Sequence, residues 1–203
     1  MSGALGFSAA REAPEPAALN APLFRSLIER MQDDTRRVVL DLGPARPQTV
    51  AMLGNCRCRL EIADLADGLD ALNAIADPDQ LRSACEQRLP PRRAETTHVV
   101  LCWDLLNYLE RPALKALMDE ISHRLAPGAL VHALIVYSTP RMPARPARIV
   151  PDADHRLHIA PVSGGEKNAP RYSPDELSRL MTGYAVERAM LLKNGMQEFL
   201  FRR

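Results

Sequence analysis

The chain has 203 residues, 46% hydrophobic and 25% charged, which is enough to bury a core without metal or disulfide staples. Lys+Arg 26 against Asp+Glu 25 leaves a net charge of +1, which argues against a nucleic-acid partner. No run approaches the roughly 20 apolar residues of a membrane span, and the opening MSGALGFSAAREAPEP lacks a basic region followed by an apolar one. The expectation is a cytoplasmic protein without membrane partners. Its four cysteines, Cys56, Cys58, Cys85 and Cys102, offer one C-x-C and no second pair. Reduced structural thiols are expected, and no metal site. The basic residues are arginines apart from Lys115, Lys167 and Lys193, a bias read as that of a high-GC bacterial genome.

Residues 1 to about 20 are rich in Ala, Pro and Glu and carry no periodicity, which predicts a disordered or loosely docked tail. From Ala21 to Asp33, Leu23, Phe24, Leu27, Ile28 and Met31 share one helical face. Arg37–Asp41 is short and β-branched, as a buried parallel strand should be. The turn Leu42-Gly-Pro-Ala-Arg-Pro47 leads to a helical stretch around Thr49–Leu53 and then a second strand, Cys58–Asp64. Two helical stretches follow, Asp67–Ala76 and Pro78 to about Arg88, the second behind an Asp77 cap.

Pro90-Pro-Arg-Arg93 breaks the pattern before a third buried strand, Thr97–Trp103. Arg111–Leu125 is the clearest helix, with Leu114, Leu117, Met118, Ile121 and Leu125 in one stripe, stopped by Pro127-Gly128. Ala129–Tyr137 is a further strand. Residues 138–172 read as a long proline-rich loop of a functional or mobile kind. Ser173-Pro-Asp-Glu176 forms a capping box for a helix that Gly183 closes. Lys193-Asn-Gly195 between two strand-like runs predicts a hairpin. Helices alternating with strands predict an α/β domain over residues 21–203, a mostly parallel sheet covered on both faces.

In open α/β sheets, ligands lie beyond the carboxyl ends of the strands. Those ends are Asp41-Leu-Gly43, Asp64-Leu65 and Cys102-Trp-Asp104. Here the sequence resembles the class I S-adenosylmethionine-dependent methyltransferases. Val38-Val-Leu-Asp-Leu-Gly43 is similar to that family's first strand and glycine-rich turn. Asp64 falls at its ribose-holding acid. Val99–Leu109, followed by a helix ending Leu125-Ala-Pro-Gly128, is similar to its strand four and entry into strand five. The closing hairpin matches its reversed last strand. The resemblance implies a Rossmann-like sheet of seven strands, or six, since no convincing third strand lies between Asp64 and Thr97. It also implies S-adenosylmethionine as cofactor, S-adenosylhomocysteine as product and a small-molecule methyl acceptor. The cofactor contacts it implies fall at Asp41, Gly43, Pro44, Ala45, Asp64, Leu65, Cys102, Trp103 and Asp104. Two departures stand out: Ala45 and Pro47 replace flexible positions of the glycine turn.

Each candidate has a plainer reading. Asp41 orders the turn amides or ends a strand. Asp64 accepts ribose hydroxyls or caps the following helix. Trp103 lines a pocket or fills the core, with Asp104 capping Leu105-Leu-Asn. Asn107-Tyr108 stands near the transferred methyl or forms a surface turn. Arg141, Arg145, Arg148 and Arg156 clamp an anionic acceptor or face solvent. His155 and His158 are candidates for a base, set against a segment that looks extended and does not place them on one face. Without catalysis, the fold reads as a binding or scaffold module. A nicotinamide-dependent oxidoreductase is disfavoured, because no G-x-G-x-x-G follows the first strand.

Overall fold

A computed structural model describes residues 18–203. The expected tail therefore lies outside the described residues, except for its last members, where Ala18–Leu19 form a short strand, β1. Helix α1 (Pro22–Arg30) follows, and Leu23, Phe24, Leu27 and Ile28 are buried, as the spacing predicts. Its N-cap, Ala21, has no side-chain oxygen to offer the first amides. Glu198, far along the chain, supplies both: Oε2 accepts from Leu23 N at 3.0 Å and Oε1 from Phe24 N at 2.7 Å. A carboxylate suits that end of a helix dipole.

Among the described residues, the principal sheet holds six strands. In chain order they are β2 (Arg37–Asp41), β3 (Cys58–Ile62), β4 (Thr97–Leu101), β5 (Leu125–Val136), and, closing the chain, β10 (Ala185–Leu191) and β11 (Met196–Arg202). Their spatial order is β10-β11-β5-β4-β2-β3. The strands β2 to β5 run parallel; β11 is antiparallel to β5, and β10 to β11. The hairpin turn forms at the expected residues, with Gly195 at φ 82° and Asn194 Oδ1 accepting from Met196 N.

Between β3 and β4 lie α3 (Leu69–Asn73) and α4 (Pro78–Arg88) and no further strand. The adjacent prolines Pro90 and Pro91 lack the N–H groups a ladder needs. The β3 edge is instead flanked by ion pairs, Arg59–Glu61, Arg59–Glu95 and Arg93–Glu61, which discourage edge pairing. Asp77 caps α4 by accepting from Gln80 N at 2.8 Å.

Alternation along the strands builds two cores. Leu40, Val100, Val131 and Phe201 face α3, α4, α5 (Arg111–Ser122) and α6 (Pro174–Leu180). Val39, Val99, Leu101 and Leu200 face α1 and α2 (Pro47–Gly54). Pro47 occupies the first turn of α2, where a missing N–H costs the helix nothing. Ser173 caps α6 through Glu176 N, as the capping box predicts.

Residues 138–172, expected as a loop, contain four short strands: β6 (Arg141–Pro143), β7 (Arg148–Pro151), β8 (Leu157–Ala160) and β9 (Glu166–Asn168). β6 pairs with β9, while β1, β8 and β7 form a three-stranded sheet. Ile149 and Leu157 carry that small sheet into the core shared with Phe24 and Trp103. Among the described residues, no helix is long and apolar enough to cross a membrane.

Candidate ligand cleft at the strand ends

Asp41 ends β2 and is 2% exposed. Its Oδ1 accepts from Gly43 N at 2.8 Å and from Trp103 Nε1 at 2.6 Å. The turn-ordering reading holds, with a second donor that the sequence does not announce. Burial pushes the Asp41 carboxyl up to about 6, against the pull of those two hydrogen bonds. Trp103 is buried and adopts a left-handed backbone, φ 51°. Its indole lies against the turn so closely that a Cβ on Gly43 would come within 2.8 Å of Trp103 Cδ1. Glycine is needed here for close approach rather than for its torsion angle.

The strand expected to reach Asp64 ends at Ile62, and Asp64 lies two residues beyond it at φ 48°, a conformation aspartate tolerates better than most residues. It is exposed and does not cap the next helix: α3 has no side-chain cap. Leu65 and Cys102 turn into the core, and their amides are already bonded to Leu42 O and His132 O. Pro44 lines the cleft described below, whereas Ala45 is exposed outside it.

Asp104 precedes the 3₁₀ turn Leu105–Tyr108 but does not cap it through its side chain. Its Oδ2 accepts from Ala147 N at 2.9 Å instead. Two residues earlier, Arg145 O accepts from Tyr108 Oη at 2.8 Å. The segment 145–147 is thus strapped across the sheet end. Pro146, Ala147 and Ile149 close over Gly43 and Pro44, leaving a void of about 40 Å³, on the scale of one water molecule at roughly 30 Å³.

Two larger spaces flank the strap. A cleft of about 350 Å³ is lined by Pro44, Arg46, Asp64, Asp70, Tyr108 and Arg145, among others, within the roughly 300–1,000 Å³ range of small-molecule sites. A second, of about 510 Å³, lies between Asp70, Tyr108, Arg111, Lys167 and Tyr172. Asp70 and Tyr108 line both, so the two clefts share a wall. In the second, the Lys167 ammonium sits 4.5 Å from the Tyr108 ring centroid, and the Arg111 guanidinium 5.5 Å from that of Tyr172.

The structure places the remaining candidates as follows. Asn107 is buried: Nδ2 donates to Asp104 O and Leu134 O, and Oδ1 accepts from Val136 N. Both amide hydrogens and the carbonyl oxygen help pin the 3₁₀ turn to β5, and the residue also lines the second cleft. Arg141 pairs with Glu166, and Arg156 with Asp152 and Asp154. Arg145 reaches the Asp64 cleft; Arg148 is exposed. His158 bonds Asp152 at 3.0 Å, and His155 sits at φ 58° in the β7–β8 turn. Neither lines either cleft. All four cysteines are free. Among the described residues, no group of three or more His, Cys, Asp or Glu side chains is placed to hold a metal.

Asp104 gives a direct pH test. Burial raises its carboxyl from an ordinary 3.8 to about 6, against the Ala147 hydrogen bond. Between about pH 4 and 6 the folded chain keeps a proton that the unfolded chain releases, so this group's contribution to stability falls as pH rises through that window. The loss is about 3 kcal/mol at full ionisation. Asp104→Asn removes this slope while keeping an acceptor for Ala147 N. In urea unfolding, the difference between variant and parent should shift in favour of the asparagine variant by about 2–3 kcal/mol from pH 4 to pH 7. An unchanged difference contradicts the burial argument.

No family model and no curated protein matches the sequence. Solved structures do match. The chain is similar to an S-adenosylmethionine-dependent methyltransferase from Mesorhizobium loti (TM-score 0.53, 12% identity, 88% of this chain and 96% of that one). It is also similar to the glycopeptide N-methyltransferase MtfA (TM-score 0.51, 13% identity, 90% and 89%). Against a larger Nostoc punctiforme protein assigned as an O-methyltransferase (TM-score 0.50, 13% identity), it covers 90% of its own length and 56% of that chain. The architecture is the Rossmann-like class I methyltransferase fold, with six strands in the principal sheet.

Proposed function

We propose that the protein binds S-adenosylmethionine at the strand ends and transfers a methyl group to a small-molecule acceptor. The observation that carries the reading is the pairing of two acids. Asp41 pins the Gly43 turn, and Asp64, exposed, lines the 350 Å³ cleft next to it. A carboxylate so placed suits the two hydroxyls of a ribose. A glycopeptide N-methyltransferase and another S-adenosylmethionine-dependent methyltransferase share the fold, which sets no substrate by itself. The 510 Å³ cleft across Asp70 and Tyr108 is the natural place for the acceptor.

Residues and cofactor fit only in part. The nucleoside half has room beside Asp64. The amino-acid half does not: over Gly43 about 40 Å³ is left. This favours a second reading, a non-catalytic binding module, and no transfer step is assigned to these residues.

Calorimetric titration with S-adenosylmethionine and S-adenosylhomocysteine tests the proposal. Binding should be saturable, and Asp64→Ala should weaken it about tenfold or more, the effect of losing a charged hydrogen-bond acceptor. No heat from either ligand at millimolar concentration contradicts it. Binding without transfer of labelled methyl to any small molecule supports the second reading.

A further inference from the structure

A sulfonium nucleoside of this kind has two parts joined at the 5′ position, and the two parts meet different surroundings here. The cleft beside Asp64 is open and carries the unspent carboxylates of Asp64, Asp67 and Asp70 on one wall. Over Gly43 the chain itself leaves only about 40 Å³. The filling is built in rather than draped. Ala147 N–H is held by Asp104, a carboxylate 5% exposed. Arg145 O is held by Tyr108 Oη. Just beyond, Ile149 is 5% exposed and packs in the same apolar cluster as Trp103 and Leu53. Strand β7, which carries Ile149, is anchored through β8 to β1.

We propose that the protein in this conformation is selective for the nucleoside half: it takes an adenine nucleoside with a small uncharged 5′ substituent in the Asp64 cleft, and admits the amino-acid-bearing form only when residues 145–147 leave Asp104 and Tyr108. This rests on the reading of the Asp64 cleft as the cofactor site. It adds a selectivity opposite to that of a cleft open along its whole length, because the amino-acid half must displace a packed strap while the nucleoside half displaces only water.

The probes are 5′-deoxy-5′-methylthioadenosine and S-adenosylhomocysteine, titrated calorimetrically into the full chain and into its Tyr108→Phe variant. Phenylalanine keeps the ring that walls the cleft and deletes one of the two strap hydrogen bonds. The thioether nucleoside should bind the parent at least about tenfold more tightly than S-adenosylhomocysteine. Tyr108→Phe should narrow the gap between S-adenosylhomocysteine and the nucleoside about fivefold, the worth of an ordinary net hydrogen bond. Trp103, the sole tryptophan, reports the strap independently. Its emission should change when S-adenosylhomocysteine binds and stay constant with the nucleoside. S-adenosylhomocysteine binding the parent as tightly as the nucleoside overturns this proposal and leaves the cofactor reading standing. An unchanged gap in Tyr108→Phe, with constant emission, overturns the strap as the barrier. Neither ligand binding either protein overturns both.

Discussion

Asp41→Ala is expected to lower stability by about 3 kcal/mol at pH 7, because it leaves two buried donors without an acceptor. The Asp41 Oδ1 atom serves Gly43 N and Trp103 Nε1 together, and each orphaned donor costs about 1–3 kcal/mol. Set against this, the native chain must hold a carboxyl whose burial lifts it to about 6, so ionisation at neutral pH already costs part of the gain. The net for a chain of this size is a melting temperature lower by about 6–12 °C. Asp41→Asn keeps one acceptor and should lose roughly half as much. Thermal unfolding followed by circular dichroism measures both. A loss below about 1 kcal/mol for alanine would mean that the turn and the indole find other partners. Since Gly43 is held at its Trp103 contact by this one oxygen, ligand binding in the neighbouring cleft should weaken in the same order, less for asparagine than for alanine.

Glu198→Ala should cost more, about 4 kcal/mol, and act on a different part of the molecule. Glu198 and His132 are both fully buried. Three donors converge on the one carboxylate: Leu23 N, Phe24 N and, with the hydrogen assigned to Nε2, the His132 ring at 3.0 Å. Removing a buried acceptor from several donors ranks among the most damaging single changes. Glutamine should restore only part of the loss, since its amide NH₂ must face at least one of the same donors. Urea unfolding gives the magnitude. Hydrogen exchange gives the location: the amides of Leu23 and Phe24 should exchange faster in the alanine variant even where the global stability is restored by osmolyte. Unchanged exchange there would remove Glu198 as the cap of α1.

These two residues also show what the sequence can and cannot disclose. The Asp41 turn is a local event, an acid two residues before the amide it binds, and it was legible from Asp-Leu-Gly alone. Its bond to Trp103 crosses 62 positions and leaves no trace in spacing. Helices α1 and α5 were legible because their apolar residues repeat with the helical period, and the strands β2, β4 and β11 because they are short apolar runs, whose residues divide between the two cores. The helix α5 ends at Ser122, earlier than its stripe suggests, because Leu125 already belongs to β5. The missing third strand was legible from Pro90-Pro91, since proline removes the donors that would have built it.

The covering of the cleft was not legible, and for a physical reason. Strands β1 and β6 to β9 are two to four residues long, too short to show alternation, and prolines interrupt them. β7 and β8 enter one core through Ile149 and Leu157, and β6 enters the other through Met142. The strap is fixed at Ala147 N and Arg145 O, both backbone atoms, so side-chain identity there carries no signal. Asp104 therefore reads as a helix cap in the sequence, while its carboxylate is spent on a segment 43 residues away. Glu198 could have drawn notice as a lone acid within Met-Gln-Glu-Phe-Leu-Phe201, but its partners on α1 lie more than 170 residues distant.

Where the ribose lands decides the account. In a crystal of the full chain grown with 5′-deoxy-5′-methylthioadenosine, both sugar hydroxyls should lie about 3 Å from the carboxylate of Asp64, with the 145–147 segment still across the sheet end. A nucleoside seated instead between Tyr108 and Tyr172, with no contact to Asp64, would contradict it.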